Sequence, residues 1–164
     1  MRITFLAVGQ IRGSKEAALF DDYSQRIQVG GRAIGITHFE ATEIKTRKGL
    51  SGEARANEDR AQITNAIQAM RRESGALTLI LLDERGKTID SREFSGKVNH
   101  WMETGNICFV LGGADGFDDS IRSQADFILS LGKMVFPHLL ARVFLAEQVW
   151  RAISILSNHP YHRY

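Results

Sequence analysis

Apolar positions along the chain fall into two alternating rhythms, short dense runs and three-to-four-residue steps. "RITFLAVG" (2–9) is β-branched and aromatic and ends on glycine, which predicts a buried first strand. "SKEAALFDDYSQRI" (14–27) carries apolar residues at helical spacing behind a serine able to cap it. "AIGITHFEA" (33–41) predicts a second strand, and the polar, glycine-bearing stretch at 42–59 predicts a mobile loop. A helix follows over 58–74, with Ala61, Ile63, Ile67 and Met70 on its inner face. "ALTLILLD" (76–83) predicts a central strand closed by the turn "ERGK" (84–87), and 90–103 predicts an amphipathic helix despite Gly96. "NICFVLGGADGF" (106–117) runs from strand into glycine loop, and a short helix around 118–123 leads to a last strand over 126–136. The chain then enters a long helix over 137–156. Pro137 suits its first position, and Leu139, Leu140, Val143, Phe144, Ala146, Trp150, Ile153 and Leu156 form its apolar stripe.

Strands separated by helices predict an α/β fold, a mostly parallel sheet with helices on both faces. No repeat, low-complexity segment or long linker divides the 164 residues, so residues 1–164 are expected to form one domain. The start lacks the pattern of a secretory signal, and no apolar run reaches membrane-spanning length. Cys108, the single cysteine, lies within "ICFVL" and is expected to be a buried, inert thiol, in keeping with a reducing, cytoplasmic setting. A net charge of +2 permits a nucleic-acid partner without demanding one.

Candidate chemistry gathers at strand ends, where open α/β sheets bind ligands. Gly112, Gly113 and Gly116 allow close backbone approach to a ligand. No Gly-Lys-Ser/Thr follows, and the loop comes too late for a dinucleotide fingerprint, so an adenosine-type ligand without phosphates fits best. His159, His162 and His138 have no Cys, Asp or Glu at ligand spacing, so no metal site is expected. Gly-x-Ser-x-Gly is absent, which removes acyl-transfer hydrolysis. Two basic groupings remain: Lys45, Arg47 and Lys48 in the predicted loop, and Arg142, Arg151, His159, His162 and Arg163 on or beyond the last helix. In "PYHRY" aromatic and cationic residues alternate, a pattern suited to stacking on bases and pairing with phosphates.

Three stretches, "FVLGGADGF", "LSLGKMVFPHLLARVFLAEQVWRAISI" and the terminal "NHPYHRY", occur in order at separations that resemble the small SPOUT-class RNA methyltransferases of the RlmH family. The resemblance runs over the whole chain. It implies a C-terminal trefoil knot, a homodimer, and S-adenosylmethionine bent into the knot. The reaction it implies is methylation of N3 of a pseudouridine in helix 69 of 23S rRNA, on assembled ribosomes. Matched by motif, the cofactor would meet Leu82, Gly112, Leu131, Gly132, Lys133, Met134, Val135 and Phe136. Ala114-Asp115 departs from the usual proline and glutamate, and Lys133-Met134 lie in a stretch that drifts among relatives. The tail would fold over the partner's cofactor pocket. Tyr161 would stack on or orient the base, His159 or His162 would relay the proton, and Arg142 and Arg163 would meet phosphate or uracil carbonyls. Pro160 would turn the tail away from its own helix, and His138 would cap its helix or support the cofactor loop. Competing readings are a SPOUT enzyme for another RNA such as tRNA, a non-catalytic ribosome-binding factor, and a nucleotide-binding regulatory domain.

Overall fold

The computed structural model describes residues 1–113 and 115–163. Ala114, in the glycine loop, and Tyr164, at the end of the tail, lie outside the described residues. Strands and helices alternate as β1 (Arg2–Val8), α1 (Ala17–Gly30), β2 (His38–Ile44), α2 (Gly52–Ser74), β3 (Leu77–Thr88), α3 (Ser91–Thr104), β4 (Asn106–Leu111), α4 (Asp119–Arg122), β5 (Phe127–Ser130) and α5 (His138–Leu156). The strands form one sheet in the order β2-β1-β4-β3-β5, and every pairing is parallel.

Alternation along the strands divides the core between two faces. On one, Ile3, Phe5, Ala7, Ile107 and Phe109 pack with Phe20 and Ile27 of α1, Phe94 and Trp101 of α3, and Val149 and Ile153 of α5. On the other, Leu6, Val8, Cys108 and Val110 meet Ile63 and Ile67 of α2 and Ile121 of α4. Successive side chains of a strand point to opposite faces, so a run without polar residues is what a strand covered on both sides requires. Phe5 holds the centre, edge-on to Phe39 at 5.1 Å and to Phe109 at 5.5 Å between ring centroids. Cys108 is fully buried there, and desolvation pushes its thiol up to about 12. Helix α3 opens with a capping box: the Asp90 carboxylate accepts from the Arg92 and Glu93 amides, and Glu93 accepts from the Asp90 amide.

Several boundaries differ from the sequence-based expectation, each for a reason of packing. The stretch at 33–41 holds a 3-10 turn over Gly31–Ile34, and β2 begins at His38. Residues 42–59 are largely regular: the first three complete β2, and Gly52 onward is helix. Their polarity reflects an edge strand and an exposed helix start rather than a loop. Ala61 is exposed, whereas Asp59 is buried on the inner face of α2. The "ERGK" stretch continues β3, because Lys87 and Thr88 pair with Leu129 and Ser130 of β5. A Cβ on Gly86 would lie 2.7 Å from the Ile128 and Leu129 backbone, so only glycine lets β5 pass this close. The last strand stops at Ser130, and 131–136 leaves the sheet. Pro137 is the residue before α5 rather than its first turn. Leu140 and Phe144, expected on the inner face, are 37% and 46% exposed. Helix α5 packs on α1 and α3 through Val143, Leu145, Ala146, Val149 and Ile153, and its apolar character continues onto the outer face.

Candidate functional site

Beyond the C-terminal ends of β3, β4 and β5 lies a cavity of about 460 Å³. Its walls are Leu82 to Arg85 within β3, the glycine loop after β4, Ser130 at the end of β5 with Leu131, Gly132 and Met134 to Phe136 after it, and Pro137, His138 and Ala141 at the start of α5. Of the residues matched to a cofactor, Leu82, Gly112, Leu131, Gly132, Met134, Val135 and Phe136 line it, and Lys133 does not. The segment after β5 is held by Ser130, whose hydroxyl donates to the Gly132 carbonyl at 2.9 Å and accepts from the Gly132 amide at 3.2 Å. Gly132 has φ +152°, a conformation that favours glycine and turns the following residues across the cavity mouth. Met134 and Val135 are 75% and 82% exposed on that mouth, and Phe136 meets Phe144 edge-on at 5.4 Å.

Charged residues that sequence reasoning did not single out also line the cavity. Arg122 donates to the Asp83 carboxylate from Nη2 at 2.9 Å and from Nε at 3.1 Å. That pairing raises the guanidinium's pKa and fixes α4 to the end of β3. Asp83 also accepts from the Arg85 amide at 2.9 Å. Asp83 was findable as the polar residue ending a buried strand, but Arg122 arrives from 39 residues away and carries no local signal. His138 is exposed on the cavity rim at the head of α5.

Arg142, one turn further along α5, behaves differently from the phosphate-holding role expected for it. It is 2% exposed, with Nη1 donating to Glu43 at 2.8 Å and Nη2 to the Gly9 carbonyl at 3.0 Å. Glu43 also accepts from the Ile11 amide at 2.7 Å. Burial lowers the guanidinium's pKa while Glu43 counters the shift, so the pair acts as a buried brace between α5 and the ends of β1 and β2. Its guanidinium is turned toward Glu43 and the end of β1 rather than toward solvent.

The tail forms a separate cluster. Helix α5 ends in a Schellman motif, with His159 N–H donating to Ser154, Asn158 N–H donating to Ile155, and Asn158 at φ +56°. The reversal is therefore made at Asn158 rather than at Pro160, and it folds the tail back onto its own helix instead of away from it. The His159 and Tyr161 rings lie 5.2 and 5.7 Å from Trp150. The Tyr161 hydroxyl donates to Glu147 at 3.0 Å and lies 3.5 Å from the Tyr23 hydroxyl. Burial first, then these two partners, push the phenol's pKa well above its ordinary value, so Tyr161 is a proton-bearing donor. Arg151 pairs with Glu147, covers the Tyr161 ring at 5.0 Å and sits 3.4 Å from His162 Nδ1. The structure thus gathers His159, Tyr161 and His162 in one place, and none of them lines the cavity. The cluster rests on Glu147, Trp150 and Arg151, roughly 14–20 Å along α5 from His138 on the cavity rim.

Residues 1–162 match a family described as predicted SPOUT methyltransferases. The chain is 43% identical over 165 residues to the ribosomal RNA large subunit methyltransferase H of Ruegeria sp. strain TM1040, and 44% identical over 167 residues to that of Roseobacter denitrificans, covering 99% of both chains in each case. Among solved structures, a probable methyltransferase from Bordetella pertussis aligns with a TM-score of 0.52 at 13% identity, over 93% of this chain and 94% of that one. A putative RNA methyltransferase from Bacillus anthracis aligns with a TM-score of 0.50 at 12% identity, over 100% and 99%. These two share the fold. The full-length matches establish more: the chain is a methyltransferase of the SPOUT family, grouped with the ribosomal RNA large subunit methyltransferase H enzymes.

Proposed function

We propose that this protein is an S-adenosylmethionine-dependent rRNA methyltransferase acting on N3 of a pseudouridine in helix 69 of 23S rRNA. In this reading it works as a homodimer on assembled ribosomes in the cytoplasm. The observation that carries the dimeric reading is that the tail is fastened to Glu147, Trp150 and Arg151, roughly 14–20 Å along α5 from His138, and lines no part of the cavity. Fixed in this way to its own helix, a tail does not reach its own cavity, and a second copy can supply one. Apolar surface beside the cavity supports a partner at this place: Met134, Val135, Leu140 and Phe144 are all exposed, and such a patch is characteristic of an interface. The trefoil knot belongs to the same proposal, supported by β5 pairing at the far edge of the sheet while α5 returns to pack between α1 and α3.

The cavity suits an adenosine-type ligand. Its loops offer backbone groups from Gly112, Leu131 and Gly132, and Leu82, Leu111 and Phe117 give an apolar wall. S-adenosylmethionine bound there supplies an activated methyl on a sulfonium. The acceptor is an imide nitrogen that must lose its proton, so the protein's work is to position the base and carry that proton away. Tyr161, kept protonated by burial and by its bonds to Tyr23 and Glu147, carries an aromatic ring and a phenol proton that would pass from Glu147 to a uracil carbonyl when the base arrives. His159 and His162 are the proton carriers of the tail, and Arg163 offers an exposed cation to a phosphate. Arg142 serves by bracing the start of α5, which borders the cavity. Lys45, Arg47 and Lys48, exposed in the turn between β2 and α2, extend the basic surface available to RNA.

The test follows the methyl group. Radiolabelled S-adenosylmethionine is supplied with assembled ribosomes, large subunits or free rRNA, all from cells lacking this modification, and the labelled base is mapped. Label at the helix 69 pseudouridine, strongest in assembled ribosomes, is the expected result. Label on tRNA or at another rRNA position would replace the substrate, and no label from a protein that binds the cofactor would remove the reaction.

A further inference from the structure

Behind the glycine loop, on the side away from the main cavity, lies a second cavity of about 100 Å³. Gly113, Asp115, Gly116 and Phe117 line both, so the loop is the partition between them. On the far wall stands Asp59 of α2, 9% exposed. Its Oδ1 is fully buried and has no hydrogen-bond partner among the described residues. A buried carboxylate oxygen left unpaired is costly, and such groups persist where they serve a purpose. The nearby cations are already engaged: Arg55 pairs with Asp115 at 2.7 Å and Arg60 with Asp118 at 2.5 Å. Burial is the main influence on the Asp59 carboxyl and raises its pKa, with Asp115 and Glu58 acting in the same direction and Arg55 and Thr46 opposing. The Thr46 side chain already hydrogen-bonds the carboxylate, and the glycine loop is the source of donors left for Oδ1. A Cβ on Gly113 would stand 3.6 Å from Asp59 Oδ2, so the Gly113 backbone passes directly over the carboxylate.

We propose that Asp59 is a positioning residue for the cofactor: it accepts hydrogen bonds from backbone amides of the glycine loop and holds the loop in its cofactor-bound position. The inference rests on the reading that the main cavity binds S-adenosylmethionine. The second cavity is the space into which the partition can move. Displacement of the loop toward α2 closes the smaller cavity, widens the larger one and brings loop N–H groups onto Oδ1. Val8, Ala56, Ile63, Phe117 and Ile121 make the apolar part of the lining, and the charged Arg60, Asp115 and Asp118 beside them bond to partners other than Asp59, so leucine can supply the packing of the carboxylate.

Calorimetric titration of S-adenosylmethionine into the full-length wild type, Asp59→Leu and Asp59→Asn tests this, with thermal denaturation of each. Asp59→Leu is expected to bind the cofactor at least about tenfold more weakly, the loss of one charge-assisted hydrogen bond, while its melting temperature is unchanged or higher. Asp59→Asn keeps one acceptor oxygen and is expected to retain most of the affinity. In turnover, KM for the cofactor should rise far more than KM for ribosomes. A purely structural carboxylate would move stability and leave that ratio alone. Hydrogen exchange supplies a readout independent of the variants: amides within 112–117 should gain protection in the wild type when S-adenosylmethionine is added. Wild-type affinity in Asp59→Leu, or no gain in loop protection, overturns the proposal. Failure of the wild type to bind the cofactor at all would instead bring down the reading of the main cavity, and this inference with it.

Discussion

The two ends of α5 are built on opposite plans. At its head, His138 and Ala141 border a cavity of about 460 Å³ whose walls are loops, with apolar side chains left at the mouth. Toward its foot, Tyr161, Glu147, Arg151 and Tyr23 are linked by hydrogen bonds, and the Tyr161 ring lies against Trp150. The head is walled largely by loops, and the foot is a set of functional groups held to one another by hydrogen bonds. Ordering in advance matters for catalysis, because an entropic cost met during folding is not met again at each turnover. In the proposed dimer, the two ends let so short a chain hold both a cofactor site and a base-handling group.

The largest effect should come from removing the foot altogether. Deletion of residues 161–164 is expected to reduce methyl transfer by about a hundredfold or more, while cofactor affinity by calorimetry stays within about twofold. Mixing this variant with a second whose cavity is blocked by Gly132→Val should restore activity in the heterodimer, because one intact cavity then meets one intact tail. Equal loss of cofactor binding and transfer, or no rescue on mixing, would break the division of labour between the two ends.

A milder disturbance enters from beneath the foot. A Cβ on Gly30 would lie 2.3 Å from Trp150 Cζ3, the ring on which His159 and Tyr161 rest. Gly30→Ala is therefore expected to cost about 1–3 kcal/mol by denaturant midpoint and to slow transfer, with cofactor affinity unchanged. Smallest is Tyr161→Phe, which removes one hydrogen bond to Glu147 and should cost about 1 kcal/mol. The phenol's pKa is raised in the fold, so its contribution to stability is full below the ordinary tyrosine range, near 10, and falls as pH climbs above it. Alkaline unfolding curves of wild type and Tyr161→Phe should accordingly converge as pH rises beyond that range.

Regular elements with strong periodicity were legible from the chain alone. Strand β1, helix α3 and the body of α5 declare themselves because each buries a face, or two, that local sequence already encodes. The polar run at 42–59 and the "ERGK" stretch concealed an edge strand, a helix start and the continuation of β3, since their regularity comes from neighbours remote in sequence. The site divided in the same way. Its strand-end loops could be picked out as glycine-bearing segments, but Arg122 and Asp59 reach the loops from separate helices, and nothing near them in sequence marks the encounter. Arg142 looked like a cation for RNA because it precedes a basic tail. Its burial depends on Glu43 and Gly9, residues that only the folded sheet brings beneath it.

Helix α5 also behaves as a ruler. The Schellman turn at Asn158 attaches the tail rigidly to the last turn of the helix, so the direction in which His159 and Tyr161 point is set by how many residues lie between His138 and Ser157. Adding one residue to that span would swing the tail by about 100° around the axis and advance it about 1.5 Å. Seven added residues would restore the facing but overshoot by roughly 10 Å. The length of this helix is therefore fixed in phase as well as in distance, and insertions into it should be far less tolerable than insertions into the turn at 45–51.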